Sequence, residues 1–392
     1  MATGDERPDE ETGSGGPTGQ AVCIVDGAFK GLPGTLAGFD GDEILVDLDI
    51  FGRTTRVRMY QHQVSLSTTT RQRTIDPADY LPPARVQVFG MRATRPLPVD
   101  PVRFLPELAS MARTTIRLHP HRGEPEAGDS SVGGPLLWPV TEEWPTCSVP
   151  YVDPGDFEVD LEHRRPVPLV PVLQLYQRDV AALPFPDGKD VLQVLWCPFD
   201  HRDDRGGTWP RPELYWRNEA ATRAEGIGLT PNPPQDIPSG KVPQPCFVDP
   251  EQVTEYPYED EDELRCLGDD RRLRLEDIKE QTGWSYQSHL SVAPGVKVGG
   301  WPGWTQWPDW PTCRCGRRMD HLLTVSSDEY DVESGLRWAP VVMVRADIDP
   351  RTDSISRGFS PTDLRIGDMG GMYLFICPKC PDAPWASRFD CC

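Results

Sequence analysis

Two cysteine pairs near one end of the sequence are the residues best placed to bind a metal ion. The first pair lies in Cys313-Arg314-Cys315 and the second in Cys377-Pro378-Lys379-Cys380. Four thiolates in two close pairs suit a tetrahedral zinc ion, with metal–sulfur distances of about 2.3 Å. Because the protein would fill all four coordination positions, the predicted zinc is structural rather than catalytic. The alternatives are reduced thiols without a metal, or a ligand set in which Cys391 or Cys392 replaces one of the four.

A run of tryptophans precedes the first cysteine pair. They recur at every third position, as Trp301, Trp304, Trp307 and Trp310. Prolines between them forbid a helix, so we expect an extended segment with the four rings on one side. The rings either cover the hydrophobic core or form an aromatic groove for a ligand or an extended peptide. In the second case Gln306 and His289 would add hydrogen bonds.

Signatures of common enzymes are absent from the sequence. It contains no Gly-x-Ser-x-Gly elbow, no phosphate-binding loop, no His-Glu-x-x-His motif and no dinucleotide fingerprint. His119 and His121 form the one close histidine pair, and surface or capping roles suit them better than catalysis. Asp328 and Asp368 could form an acid pair only if the fold brought them together. Catalysis is therefore not expected, although the sequence leaves it open.

Composition limits the functions to consider. The chain has 392 residues, including 43 prolines and 35 glycines, so short strands and turns are expected rather than long helices. A net charge of -21 argues against direct nucleic-acid binding and suits a basic protein partner. No apolar run approaches the roughly 18 residues of a membrane span, and no leader is recognised, so we expect a cytoplasmic protein without membrane contact. In that reducing compartment the 11 cysteines would be metal ligands and buried thiols.

One phrase of sequence occurs twice at matched spacing. Gly133-Gly134 leads through Trp138 to Trp144-Pro145-Thr146-Cys147, and residues 299–313 repeat the glycine pair, the tryptophan and the Trp-Pro-Thr-Cys block at the same offsets. In both copies two strands are predicted downstream, and the second of them ends in Cys-Pro. The sequence therefore predicts a duplicated unit.

The first copy retains only part of the cysteine pattern. It has Cys147 and Cys197, but Val149 and Asp200 stand where the second copy has the other two cysteines. Two thiols cannot complete a metal site. Cys147 and Cys197 are therefore predicted to act as small buried hydrophobic residues.

The predicted fold is α+β and β-rich, with six segments along the chain. These are a disordered tail (1–20), a small SH3-like barrel (21–66), a linker with a short helix at 104–113 (67–113), a first repeat (114–200), an insertion (201–285) and a second repeat with the zinc site (286–392). Alternating apolar residues from Ile44 to Ile50 give the clearest strand signal. In the insertion, residues 271–281 predict a helix, and the acidic run at Glu255 and 259–263 is interpreted as a solvated face.

The barrel segment resembles a known module. Residues 26–35, the run Ile50-Phe51-Gly52-Arg53-Thr54-Thr55 and Gln63-Val64 closely resemble the KOW module that ends the NusG transcription factors, over residues 22–66. The resemblance implies an SH3-like barrel whose exposed loops bind a ribosomal protein or a termination factor. By position, the candidate partner-binding residues are Phe29, Ile50, Phe51 and Arg53. The other interpretation is a barrel that only supports the rest of the protein.

The duplicated segment resembles a second family. The residues that carry the similarity are Val298-Gly299-Gly300-Trp301-Pro302, Trp304-Thr305-Gln306, Cys313, Cys315-Gly316, His321-Leu322-Leu323, Gly367-Asp368-Met369-Gly370 and Tyr373-Leu374-Phe375. They resemble the YwqG-like bacterial domain of unknown function, over about residues 114–392. The resemblance implies an α+β fold of two related halves and brings no established activity.

These observations favour a non-enzymatic binding or adaptor protein. The KOW-like barrel would dock on a protein, such as a component of the transcription or translation machinery or another basic partner. The zinc-stabilised domain would contribute a second interaction surface. The alternative is a small-molecule-binding protein, or an enzyme of unknown reaction, that uses the cleft between the two repeats. A scaffold with no ligand beyond zinc is a third hypothesis.

Overall fold

The computed structural model describes residues 21–24, 33–40, 43–50, 53–60, 64–66, 93–152, 166–202, 207–234, 237–268, 270–340 and 360–391. The chain divides into two compact units, Met1–Pro82 and Pro83–Cys392. The predicted tail at 1–20 and most of the predicted linker lie outside the described residues. None of the helices in the described ranges has the length and hydrophobicity needed to cross a membrane.

The first unit contains a five-stranded antiparallel sheet in the order β4-β3-β2-β1-β5. Its strands are β1 (Ala21–Ile24), β2 (Pro33–Asp40), β3 (Glu43–Ile50), β4 (Arg53–Tyr60) and β5 (Val64–Leu66). The predicted alternation is present in β3, where Ile44, Val46 and Leu48 are buried. On the opposite face Asp47 pairs with Arg56 at 2.8 Å. Among the described residues β4 and β5 remain the sheet edges, so the predicted closed barrel is not observed and the structure describes an open sheet.

The second unit is β-rich and contains two six-stranded antiparallel sheets, called here the first and second sheets. The first sheet has the order β13-β12-β11-β8-β14-β7 and the second has the order β15-β6-β16-β17-β18-β19, while β9 and β10 form a separate pair. The strands are β6 (Arg113–Arg117), β7 (His121–Arg122), β8 (Ser131–Val132), β9 (Thr146–Cys147), β10 (Val167–Pro168), β11 (Val170–Tyr176), β12 (Val191–Arg202), β13 (Thr208–Arg217), β14 (Cys246–Phe247), β15 (Glu251–Glu255), β16 (Lys297–Gly299), β17 (Asp320–Ser326), β18 (Gly371–Ile376) and β19 (Trp385–Asp390).

The two sheets share one hydrophobic core. Every residue of β11 and of β18 is buried, which agrees with the continuous apolar runs in both segments. The core joins residues of the first sheet, such as Val172 and Val194, to residues of the second sheet, such as Leu323 and Leu374. Burial of both faces therefore explains why these strands lack an alternating pattern.

Helices are few and short. They are α1 (Glu219–Glu225), α2 (Asp262–Arg265), α3 (Asp270–Thr282) and α4 (Gly335–Trp338), with 3-10 turns at Pro101–Arg103 and Pro106–Ser110 and a π-helical turn at Tyr286–Leu290. The helix predicted over 271–281 is α3. The single helix predicted over 104–113 is wrong, because Pro106 begins a separate 3-10 turn and β6 already starts at Arg113.

The repeated glycine pairs share a left-handed backbone conformation. In the repeat Gly133 matches Gly299 and Gly134 matches Gly300, and their φ angles are +81°, +69°, +79° and +72° in that order. A Cβ on Gly133 would lie 2.8 Å from the carbonyl oxygen of Gln244, and a Cβ on Gly300 would overlap Oε1 of Glu255, whereas a Cβ on Gly299 would make only ordinary contact. All four positions therefore favour glycine for conformation, and Gly133 and Gly300 require it for space as well. Beyond them, β8-β11-β12-β13 and β16-β17-β18-β19 follow the same neighbour order.

Candidate metal centre

A tight turn before β17 presents the first cysteine pair. The N–H of Gly316 donates to the carbonyl of Cys313 at 2.8 Å, and Gly316 has a φ of +82°. The N–H of Cys313 donates to the carbonyl of Arg317, also at 2.8 Å. These two backbone hydrogen bonds close the turn and hold the side chains of Cys313 and Cys315 on one side of the chain.

The second cysteine pair lies in the connection between β18 and β19. The N–H of Cys377 donates to the carbonyl of Pro384, and the N–H of Ala383 donates to the carbonyl of Cys380, both at 2.9 Å. Since β18 neighbours β17, this connection lies beside the first turn. An exposed ion pair between Arg314 and Asp382 also links the two turns.

The four sulfur atoms converge with distances that suit one metal ion. The Sγ atoms of Cys313 and Cys380 are 3.7 Å apart, as are those of Cys315 and Cys377, and those of Cys377 and Cys380 are 3.9 Å apart. All four lie within 4.8 Å of one another. A tetrahedral zinc–thiolate site with bonds of about 2.3 Å has sulfur–sulfur edges of about 3.8 Å. The predicted ligands therefore form a cluster compatible with a structural metal.

Hydrogen bonds to sulfur stabilise thiolate at this centre. Desolvation raises the pKa of Cys377, but the N–H groups of Lys379 and Cys380 and the neighbouring thiols lower it to about 7. In contrast, the hydrogen bond with Cys313, followed by desolvation, raises the pKa of Cys380 to about 12. Cysteine binds a metal as the thiolate, so a bound cation would oppose the raised pKa of Cys380. Cys391 is outside the cluster and lies against Gly367 and Gly370; Cys392 is outside the described residues.

The four tryptophans do not share one surface. Trp301 and Trp304 are buried, Trp310 is partly buried, and Trp307 is 66% exposed. Trp304 packs on Tyr373 and Phe375 beside the cysteine cluster. Trp310 contacts both Trp301 and Trp304, with ring centroids 6.2 Å apart in each case. These three rings pack together while Trp307 stays exposed, so the four do not form one exposed ridge.

The residues proposed to assist such a groove are engaged elsewhere. The Nδ1 of His289 accepts the N–H of Ser285 at 3.0 Å, and its Nε2 donates to the carbonyl of Glu333 at 3.0 Å. The side-chain amide of Gln306 donates to the carbonyl of Cys391 at 2.7 Å. These bonds stabilise local turns.

The polar side chains considered for catalysis have structural partners. His119 is buried and donates to Glu251 at 2.8 Å, whereas His121 lies 3.4 Å from Asp249. Burial, and to a lesser degree the charge of Asp368, raises the pKa of Asp328. His119 is therefore not the surface residue that the sequence predicted.

A carboxylate that the sequence analysis assigned to a solvated face is buried beneath the tryptophans. Glu261 accepts hydrogen bonds from the indole N–H groups of Trp304 and Trp310, each at 2.9 Å. Burial raises the pKa of Glu261 to about 7, although both indole hydrogen bonds oppose that shift. The prediction that the acidic run 259–263 is a solvated face is therefore wrong for Glu261, because this central residue binds two indole rings.

This carboxylate should make stability fall as pH rises. Glu261 binds its proton in the folded protein up to about pH 7, whereas the unfolded chain releases it near the ordinary value of 4.5. Between those values the folded state holds more protons, so its free energy of unfolding decreases with increasing pH. From about pH 5.5 to about pH 7.5 we expect a loss of about 2 kcal/mol that is absent in Glu261→Gln. Denaturant titrations of both proteins at these two pH values measure it.

The quantity to compare is the change in the free energy of unfolding with pH, in the wild-type protein and in Glu261→Gln. Burial lowers the pKa of His321 to about 3, so that histidine adds stability as pH rises toward its ordinary value and masks part of the absolute slope. Parallel pH profiles for the wild-type protein and Glu261→Gln would contradict the assignment.

The candidate docking residues are only partly described. Ile50 ends β3 and Arg53 begins β4, and the two are paired in the strand register. Phe29 and Phe51 lie outside the described residues. The described backbone places the Ile50–Arg53 end of this strand pair opposite the end at Tyr60.

A cleft of about 480 Å³ lies between the edge strands β13 and β19 of the two sheets. Its lining includes Arg211, Glu213, Tyr215 and Trp385. The hydroxyl of Tyr215 donates to Glu213 at 2.6 Å, so these two polar groups satisfy each other.

Comparison with known proteins supports only the amino-terminal similarity. A stretch of 46 residues is 41% identical to the transcription termination/antitermination protein NusG of Lactococcus lactis subsp. lactis (strain IL1403), and covers 12% of this chain. The chain spans 25% of the length of that curated relative. No protein-family model matches the chain. The comparisons therefore support a NusG-like module, and the YwqG-like similarity stays a prediction.

Proposed function

We propose that this is a non-enzymatic binding protein in which the NusG-like module docks on a protein partner. The observation that carries the proposal is the 41% identity to NusG over 46 residues. NusG is named for termination and antitermination of transcription, which supports a partner in the transcription machinery, with the related translation machinery as the second class. Such partners would place the protein in the cytoplasm.

The chemistry of the cysteine cluster supports a structural role for the larger unit. Four cysteine sulfurs would occupy all four coordination positions of a tetrahedral zinc ion and leave none for water or substrate. We propose that zinc at Cys313, Cys315, Cys377 and Cys380 stabilises the domain as an interaction surface. The net charge of -21 favours a basic protein partner over nucleic acid.

Two finer points of architecture belong to the same proposal. The matched strand order of the two sheets and the equivalent glycine pairs support an internal duplication of the YwqG-like type. The NusG similarity supports closure of the first sheet into an SH3-like barrel. Neither point is needed for the docking test.

Docking should depend on the Ile50–Arg53 end of the first sheet. The double substitution Ile50→Ala with Arg53→Ala is expected to weaken binding by about tenfold or more, since a few apolar and arginine side chains dominate most protein interfaces. Biolayer interferometry with purified transcription elongation complexes, termination factor and ribosomes, each assayed separately, measures the effect.

The matched control lies at the opposite end of the same sheet. Phe39 of β2 and Tyr60 of β4 are 42% and 55% exposed there. Phe39→Ala with Tyr60→Ala removes exposed apolar surface away from the Ile50–Arg53 end and should leave the affinity unchanged. Equal losses in both double variants, or no binding of the wild-type protein to any of the three preparations, would refute the proposed docking role.

A further inference from the structure

Strand β12 of the first sheet and the neighbouring strand β9 carry a second group of metal-ligating side chains. Cys147 ends β9, while Cys197 and His201 belong to β12. One ligand atom from each residue lies within 4.8 Å of the other two. All three side chains are buried, with exposed fractions of 7%, 0% and 5%. The sequence analysis assigned the two cysteines to the core and missed the histidine.

The histidine is oriented as a metal ligand. Its Nδ1 lies 2.9 Å from the carbonyl oxygen of Pro150. Because a carbonyl only accepts, Nδ1 carries the proton and Nε2 presents a lone pair. That Nε2 lies 3.7 Å from the sulfur of Cys147. A tetrahedral zinc with bonds of about 2.3 Å to sulfur and about 2.0 Å to nitrogen separates these atoms by about 3.6 Å.

The cysteines share a local hydrogen-bond pattern with the four-cysteine cluster. The N–H of Val149 bonds the sulfur of Cys147, and the N–H of Phe199 bonds the sulfur of Cys197. Each donor lies two residues after its cysteine. In the four-cysteine cluster the N–H groups of Cys315 and Lys379 bond Cys313 and Cys377 at the same spacing. A backbone that donates to sulfur in this way stabilises thiolate.

The group also occupies the position that corresponds to the four-cysteine cluster. Cys147 follows the first Trp-Pro-Thr block as Cys313 follows the second. Asp200, at the position of Cys380, binds the Nζ of Lys241 at 2.7 and 3.0 Å and so is committed to that pair. His201, one residue later, supplies the third ligand. The register of β12 is irregular between Trp196 and Asp200, and across this irregularity the ligand atoms of Cys197 and His201 lie within 4.8 Å of each other.

We propose that Cys147, Cys197 and His201 form a second zinc site with three protein ligands. Two thiolates and an imidazole are a ligand set that zinc accepts. Among the described residues, which leave out 153–165 and 203–206, no fourth ligand atom joins the group. Tyr151, stacked on Phe199 at 4.1 Å between ring centroids, forms an apolar wall beside it. The two sites thus differ in their described ligands, four cysteines in one and two cysteines with a histidine in the other.

Metal analysis of the purified full chain tests the proposal. We expect about two zinc equivalents per chain in the wild-type protein, and loss of about one in Cys197→Ser with His201→Ala. Cys377→Ser with Cys380→Ser should lose the other equivalent. Cys266→Ser, at an exposed cysteine outside both groups, is the control and should keep both.

A second variant keeps the test valid if the first does not fold. His201→Cys should retain the metal count and, after cobalt substitution, increase the sulfur-to-cobalt charge-transfer absorption by the amount of one added thiolate. Three results would overturn the proposal. The wild-type protein could hold one zinc equivalent or less, lost only when Cys377 and Cys380 are replaced. The variant Cys197→Ser with His201→Ala could keep the wild-type metal count, or the purified protein could contain a disulfide between Cys147 and Cys197.

Discussion

Serine at both Cys377 and Cys380 is expected to remove one zinc equivalent per chain and to unfold the strands around the cluster. Binding of a structural zinc contributes about 10 kcal/mol or more to folding, which is comparable with the whole stability of a typical domain, about 5–15 kcal/mol. The cluster packs directly on Trp304 and Phe375, so the loss should extend into this satellite core. Metal analysis combined with near-ultraviolet circular dichroism measures both effects.

The exposed Cys266 provides the matched control for this substitution. Cys266→Ser removes a thiol without touching the cluster and should retain the metal and the wild-type melting temperature. A chelator added to the wild-type protein should produce at least the spectral change seen in the double variant. If the double variant has the melting temperature of the wild-type protein, or if chelation leaves the spectrum unchanged, the cluster is only a group of reduced thiols.

The second large effect is expected at a buried ion pair. The Nζ of Lys297 lies 2.8 and 3.0 Å from the carboxylate oxygens of Glu255 and also donates to the carbonyl of Trp301 at 2.7 Å. The carboxylate accepts the N–H groups of Ala293 and Trp301 as well. Burial raises the pKa of Glu255 and lowers that of Lys297, and their mutual attraction opposes both shifts.

Glu255→Ala should therefore destabilise the protein by about 3–5 kcal/mol, because it leaves a buried ammonium group and two backbone N–H groups without their acceptor. Replacing both partners, Glu255→Met with Lys297→Met, should cost less than the sum of Glu255→Met alone and Lys297→Met alone, since no uncompensated charge remains. Denaturant unfolding of the wild-type protein, these two single variants and the double variant gives the coupling energy.

An exposed pair supplies the comparison. Arg272 and Glu276 lie 3.4 Å apart on α3 with side chains 70% and 58% exposed. Glu276→Ala should change the free energy of unfolding by less than about 1 kcal/mol. A similarly small effect of Glu255→Ala would contradict the role assigned to the buried pair.

Periodicity and residue type were sufficient to predict some of these features. The alternation in β3, the apolar runs of β11 and β18, and the helix α3 are local patterns, and each is present in the structure. The four-cysteine cluster was also predictable, because each cysteine pair is close in sequence and only the approach of the two turns depends on the fold.

Other features depend on contacts that no local pattern contains. Glu255 and Glu261 resemble solvated acids in the sequence, but distant lysine and indole donors make their burial possible. The spacing of the four tryptophans predicted one exposed ridge, but Trp301 and Trp304 are buried, and Trp304 packs on Tyr373 and Phe375 of β18. His201 is an isolated histidine in the sequence, and strand alternation could not have placed it beside Cys197, because the register of β12 is irregular between Trp196 and Asp200.

The position of the four-cysteine cluster bears on how this domain can vary. Strands β17 and β18 are antiparallel neighbours, but 44 residues separate the end of one from the start of the other. The cysteine turns lie at the other end of this pair, beside Asp320 and Ile376. With a metal bound there, the pair is fastened as a short hairpin would be. The distal connection still contributes Leu364 and Ile366 to the shared core. Outside such packed residues its length can grow at only about 0.6 kcal/mol per doubling, because the other end of the strand pair is already held together.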